Sequence, residues 1–379
     1  MQNNGIYLDS QATAGLAPGV LKAMIAHFSD TYGNPHSSEH SFGWRAGNAV
    51  DRAREQVAAA TGFDADEVVF TSGATEANNI VILGFHRDAT LPLSMTATEH
   101  KSVIAPMRER ARRGSPVTTL PVDGLGVVDL DALSDALGAG VRLVSVMAVN
   151  NEIGTAQPIA AIADLCHAAG ALLHVDAAQA LAFDAVAALA AHADIVSVSS
   201  HKAGGPAGIG ALLVARHARP ALSPIAFGGG QEDGLRPGTL PMPLCVGFGA
   251  ACAVLPDAAE VDDWRRRSDR LAESLAAVIP GSVRNGGGPG SHPGNVSLTL
   301  PEGDADAVIA RLQPGVAAST GSACTSGIPE PSHVLRAIGL DAAAAERTIR
   351  LSVGRYTTTG EIEQAIAAIA NAVRTRAAA

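Results

Sequence analysis

The chain has 379 residues, 47% of them hydrophobic, with 27 basic against 37 acidic side chains and a formal net charge of −10. Such a length excludes a single small module, and basic residues scattered over an acidic chain exclude a nucleic-acid surface built on a positive patch. No apolar stretch is long and uninterrupted enough to span a bilayer, so a soluble protein with no membrane partner is expected.

The chain opens Met1 to Asp9 without a basic segment leading into an apolar one, which reads as the absence of a secretion signal and predicts a cytoplasmic location. From about residue 67 to residue 215, short apolar runs alternate with helical patterns. The runs are Glu67 to Phe70, Leu91 to Met95, Val117 to Leu120, Val141 to Ala148, Ala171 to Val175, Asp194 to Val198 and Ile209 to Val214. This rhythm predicts an α/β domain whose mostly parallel, seven-stranded sheet is covered by helices on both faces. In such sheets ligands bind beyond the carboxyl ends of the strands. The polar motifs Thr71-Ser72-Gly73, Asn150-Asn151-Glu152, Asp176 and Ser199 to Lys202 all fall there, which predicts a site assembled from several strand ends.

After Gly228-Gly229-Gly230 and the turn at Pro237-Gly238, an Ala-rich helix is predicted from about Pro243, interrupted near Leu255-Pro256, and a second from about Asp257 to Val278. Short strands and helices follow, with loops such as Gly286 to Gly290. A domain boundary is placed at Pro256, with a large α/β domain over residues 16–256 and a smaller α+β domain made of residues 1–15 and 257–379. Arg265-Arg266-Arg267 reads as a solvated helix face, and the Ala-rich end after Arg374 as a frayed helix. The four cysteines include no Cys-x-x-Cys pair, which argues against a zinc or iron-sulfur site held by this chain alone. Cys166, Cys245 and Cys252 sit in apolar helical patterns and read as core; Cys324 does not.

Lys202 ends an apolar run beside small hydroxyl residues and His201, a setting suited to a Schiff base with an aldehyde cofactor. Asp176, at the end of the preceding run, supplies a carboxylate that can face a pyridinium nitrogen. Thr71 to Glu76 joins a strand to a helix beginning near Thr75, where small residues, exposed amides and the helix dipole favour phosphate; read alone, it is equally an ordinary helix start capped by Thr75. His100, after the next strand, is placed to stack on a ring and to move protons near neutral pH. Cys324 lies in the small, polar run Ala318 to Gly327, which reads as a thiol on a mobile tether or simply as a small residue in a loop. Arg350 alternates with apolar residues on a late strand and suits either a fork for a substrate carboxylate or a structural ion pair.

Together, His174 to Gln179, Ser199 to Lys202 and Ser319 to Ser326 resemble the NifS-like cysteine desulfurases of the class V aminotransferase superfamily, in the branch with a long cysteine loop, and the resemblance runs from Ile6 past Arg350. It implies the fold type I of pyridoxal-phosphate transferases, with pyridoxal 5'-phosphate on Lys202, Asp176 facing the ring nitrogen and Gln179 the ring hydroxyl. Phosphate would be held by Ala74, Thr75, Ser199 and His201, with Thr239 reaching in from a second copy in a homodimer. His100 would stack on the ring and serve as acid and base, while Asn151 and Arg350 orient the substrate. The implied reaction converts L-cysteine to alanine, leaves a persulfide on Cys324 and passes the sulfur to an acceptor such as an iron-sulfur scaffold. A selenocysteine lyase or an aminotransferase on the same scaffold is the alternative, and the tethered thiol separates the aminotransferase from the desulfurase.

Overall fold

Each of the seven apolar runs becomes a strand, because β-branched side chains bounded by glycine, proline or polar residues suit a pleated, doubly covered surface. The computed structural model describes residues 5–87, 89–183, 185–320 and 331–375. A short strand β1 (Ile6–Tyr7) precedes helices α1 (Val20–Ser29) and α2 (Ser41–Thr61). Then come β2 (Val68–Thr71), β3 (Leu93–Thr96), β4 (Val117–Leu120), β5 (Leu143–Met147), β6 (Leu172–Asp176), β7 (Ile195–Ser199) and β8 (Gly210–Val214). Helix α3 (Ala74–Gly84) follows β2, and α4 (Lys101–Arg112) follows β3. The run expected from Leu91 enters the sheet only at Leu93, since Pro92 has no N–H to give a ladder.

The sheet order is β2-β8-β7-β6-β5-β3-β4. All neighbours are parallel except β8, which is antiparallel to both β7 and β2. Two reversals leave β2 pointing the same way as the parallel strands, so its carboxyl end opens on the same edge as those of β3, β5, β6 and β7. Adjacent residues alternate between two cores: Val144, Val196 and Leu213 pack with Phe70 and Phe248 on one face, and Leu143, Ile195 and Leu212 pack with Ile80 and Met107 on the other.

A second core gathers Leu8, Leu275, Val296, Leu298, Ile349, Leu351 and Ile362 around an antiparallel sheet of β9 (Val283–Asn285), β10 (Asn295–Thr299) and β12 (Thr348–Ser352), in the order β12-β10-β9. Strand β11 (Val316–Ala317) pairs in parallel with β1. The two expected Ala-rich helices are Met242–Cys252 and Ala258–Val278, with Pro256 between them. The second touches both cores, placing Trp264 in the first and Leu271 and Leu275 in the other. Of the basic triplet, Arg266 is exposed and pairs with Asp263, while Arg267 reaches the same carboxylate from a mostly buried position. Cys166, Cys245 and Cys252 are buried free thiols, each pushed up to about 12 mainly by burial, which keeps them protonated and inert. The final four residues lie outside the described ones.

Candidate active site

The turn after β2 is shaped by glycine. Gly73, at φ 147° and ψ 178°, is the N-cap of α3 and gives it no side-chain hydrogen bond; Thr75 is the second helical residue and does not cap. A Cβ on Gly210 of β8 would stand 2.7 Å from the Gly73 Cα and 2.5 Å from the Val198 carbonyl oxygen, so only glycine lets the turn seat against the sheet. Glu76, one turn into α3, accepts from the Ser72 N–H and from Arg236 Nε at 2.9 Å. Burial pushes its carboxyl up, but Arg236 and the Ser72 N–H together hold it below the usual range. Ala74 and Thr75 line the cavity at this helix start, whose first amides have no side-chain cap.

That cavity measures about 430 Å³ and lies on the carboxyl edge of the sheet. Ala74, Thr75, His100, Asn151, Asp176, Gln179, Ser199, His201, Lys202 and Arg350 all line it. Lys202 stands in a 3-10 turn directly after β7. Burial lowers its pKa, against the pull of Asp176 upward, with Arg350 adding to the lowering. An amine so placed is a better nucleophile than a solvated one. Asp176, 3% exposed, accepts from the Ala178 N–H at 3.0 Å and from Asn78 Nδ2 at 2.7 Å. The same Asn78 nitrogen donates to Ser102 Oγ at 2.8 Å, and Ser102 Oγ lies 2.8 Å from His100 Nδ1. Glu99, beside His100, is pushed up to about 8 by burial, so it is a neutral acid at pH 7.

The opposite wall comes from distant parts of the chain. Arg350, 6% exposed, donates to the Asn151 carbonyl oxygen at 2.9 Å and pairs with Asp9 at 2.6 Å. Its Nε is buried with no partner among the described residues. Gln179 donates to the Gln11 carbonyl oxygen at 3.0 Å, and the Gln11 side chain is held by Asn295 at 2.7 Å. His201 contacts Thr13 Oγ1 at 3.1 Å. Burial, with Lys202 adding to it, lowers the pKa of His201 and keeps it neutral near pH 7.

Cys324 lies outside the described residues; of the described residues on either side of it, Ser319 bonds to a residue that lines the cavity and His333 to the neighbour of one. Ser319 exchanges backbone hydrogen bonds with Arg350, and His333 Nε2 meets the Glu99 carbonyl oxygen at 2.8 Å. Thr239 is exposed and does not line the cavity. Its loop is moored to the turn after β2 by the Arg236–Glu76 pair and to β2 by Glu232, whose buried carboxylate meets Arg54 and the Phe70 N–H, both at 2.6 Å.

The donor set fits pyridoxal phosphate: an uncapped helix end for the phosphate, an amine of lowered basicity for the aldehyde, and a buried carboxylate for the ring nitrogen. Sequence reasoning missed Asn78, Glu76, Glu99 and Ser102. Asn78 and Ser102 carry a readable signal, a polar residue in the otherwise apolar register of its helix.

The class-V aminotransferase family model matches residues 6–365. A Homo sapiens protein named cysteine desulfurase is 43% identical over 366 residues, covering 95% of this chain and 80% of its own. Among solved structures, a NifS-like protein superposes with a TM-score of 0.90 at 30% identity, covering 97% of this chain and 99% of the other. A structure described as SspA in complex with cysteine gives 0.81 at 35% identity, covering 93% and 100%.

Proposed function

The chain belongs to the class-V aminotransferase family and is a pyridoxal-phosphate-dependent cysteine desulfurase, and on that premise we propose which side chains do the work. Lys202 would hold the cofactor through its aldehyde carbon, Asp176 would keep the ring nitrogen protonated, and Gln179 would meet the ring hydroxyl. Ala74, Thr75, Ser199 and His201 would hold its phosphate. The bound cofactor supplies an electron sink at the α-carbon of L-cysteine. Arg350 and Asn151 hold the substrate carboxylate, so that its Cα–H and sulfur face His100 and the amine of Lys202 instead of water.

His100 moves protons within the cavity, and Cys324 takes the sulfur. Its thiolate forms an S–S bond to the substrate sulfur as the substrate C–S bond breaks, and the electron pair of that bond stays on carbon, where a proton completes the methyl group of alanine. No outside oxidant is needed, and Cys324 is left as a persulfide. One observation supports this choice of nucleophile: Ser319 is tied to Arg350, which lines the cavity, and His333 to Glu99, the neighbour of His100, so the residues on both sides of Cys324 are bonded close to the cavity. Cys324→Ser is expected to keep the yellow lysine-bound cofactor and to lose sulfide release from L-cysteine; sulfide release at the original rate would overturn the assignment.

The active unit is proposed as a homodimer in the cytoplasm. On α1, Leu21, Ile25 and Phe28 are 56%, 55% and 64% exposed at helical spacing, a stripe that a second copy would cover. In that dimer the exposed Thr239 completes the partner's phosphate site. The persulfide then passes to an acceptor protein, an iron-sulfur scaffold being the one proposed. Sedimentation of Phe28→Asp checks the interface, with a shift toward monomer expected.

A further inference from the structure

His100 is the N-cap of α4, and its Nδ1 accepts the Ser102 N–H at 3.1 Å. A main-chain N–H can only donate, so Nδ1 carries no proton and the proton of the neutral ring is on Nε2. A capping role explains that bond alone. It does not explain the Ser102 hydroxyl, which lies 2.8 Å from the same nitrogen and receives Asn78 Nδ2 at 2.8 Å. The hydroxyl has one proton, and because Asn78 donates to its oxygen, that proton is free to point at Nδ1. The second hydrogen of Asn78 Nδ2 goes to Asp176 at 2.7 Å. Asn78 is fully buried and Ser102 is 7% exposed, so neither can exchange these bonds for water.

We propose that Ser102 and Asn78 are positioning residues that hold His100 as the neutral Nε2–H tautomer and tie the plane of its ring to the carboxylate of Asp176. An imidazole held in this way begins as a proton donor at Nε2, and it can accept a proton there only after giving one up. A second proton at Nδ1 would have to displace the hydroxyl bond and face a main-chain N–H. Burial lowers the pKa of His100 in the same direction; Asp176 opposes, and Lys202, His333 and Lys101 add to the lowering. The chain of bonds is not a proton wire, because the Asn78 amide has no proton to pass on at neutral pH. Its role is geometric, joining the group that faces the ring nitrogen to the group beside the reacting carbon.

This inference rests on the reading of His100 as the proton carrier, and one experiment separates the two. Holoenzyme labelled with 15N-histidine, with the His100 signals assigned by His100→Gln, is followed by long-range proton–nitrogen spectra from pH 5 to pH 9. The expected result is an unprotonated Nδ1 and a protonated Nε2 at pH 7. Ser102→Ala should raise the pH at which the ring takes its second proton by about half a unit to one unit. It should move the acid limb of kcat by the same amount and leave KM for cysteine unchanged, and Ser102→Thr should restore both. A proton on Nδ1 in the original protein, or a titration unmoved by Ser102→Ala, overturns the proposal. If the tautomer is as expected but His100→Gln desulfurates at the original rate, the proton-carrier reading fails while the positioning stands.

Discussion

The helix Thr359–Arg374 starts at Thr358, whose hydroxyl accepts the Glu361 N–H at 3.2 Å while Glu361 accepts the Thr358 N–H at 2.6 Å. Helix α3 starts at Gly73, three residues before Glu76, and has no hydroxyl to offer. Both helices carry glutamate at the third position, yet only the first closes a capping box. In α3 the glutamate bonds one residue further back, to the Ser72 N–H, and turns its other face to Arg236. At Thr358 the capping pair closes on itself, whereas at Gly73 the same glutamate is taken up by the turn and by Arg236, which leaves the first amides of α3 without a side-chain partner and suits the phosphate proposed for them.

Three substitutions test this contrast. Gly73→Ala carries the largest expected effect, since φ 147° with ψ 178° is a region open to glycine almost alone, and strain there costs about 1–3 kcal/mol. Cofactor affinity, measured by fluorescence titration of stripped enzyme, should fall at least tenfold, and an unchanged affinity would mean that the open end is incidental. Next is Glu76→Gln, which keeps the shape but weakens the link to Arg236 and should lower cofactor affinity a few-fold.

The pH behaviour follows from the sign of the Glu76 shift. A carboxyl held below its ordinary range contributes stability above the unfolded pKa of about 4.3, and that contribution is lost as pH falls through the lower folded value. Thermal melts of the original protein should therefore show an acid-side decline that Glu76→Gln flattens. Smallest is Thr358→Ala, expected to cost about 1 kcal/mol in denaturant melts while leaving cofactor affinity unchanged. A loss of cofactor in that variant would erase the contrast between the two ends.

Much of this was legible in the chain itself, for identifiable reasons. The seven strands were visible because a sheet covered on both faces needs unbroken apolar runs, and the polar residues that end them mark the edge where ligands bind. Lys202, Asp176 and His100 could be placed because Asp176 directly follows such a run and the other two stand a few residues beyond the ends of theirs. What stayed hidden depends on partners far apart in sequence. Arg350 reads equally as a carboxylate fork or a structural pair until Asp9, 341 residues away, is seen to meet it. Ser102 and Asn78 stand out as polar residues in apolar registers, but only their hydrogen bonds show that they join α3, α4 and β6. Glu232 and Arg54, 178 residues apart, show no pattern that would connect them.

The same distances set a schedule for synthesis. The sheet that carries Lys202 and Asp176 is complete once Val214 has emerged, whereas Arg350, which anchors Asp9 and the Asn151 carbonyl oxygen, is made 136 residues later. At roughly 5–20 residues per second this is a delay on the order of ten seconds. During that interval all seven strands of the large sheet are available, while the ties of Arg350 to Asp9 and to the Asn151 carbonyl oxygen cannot yet form.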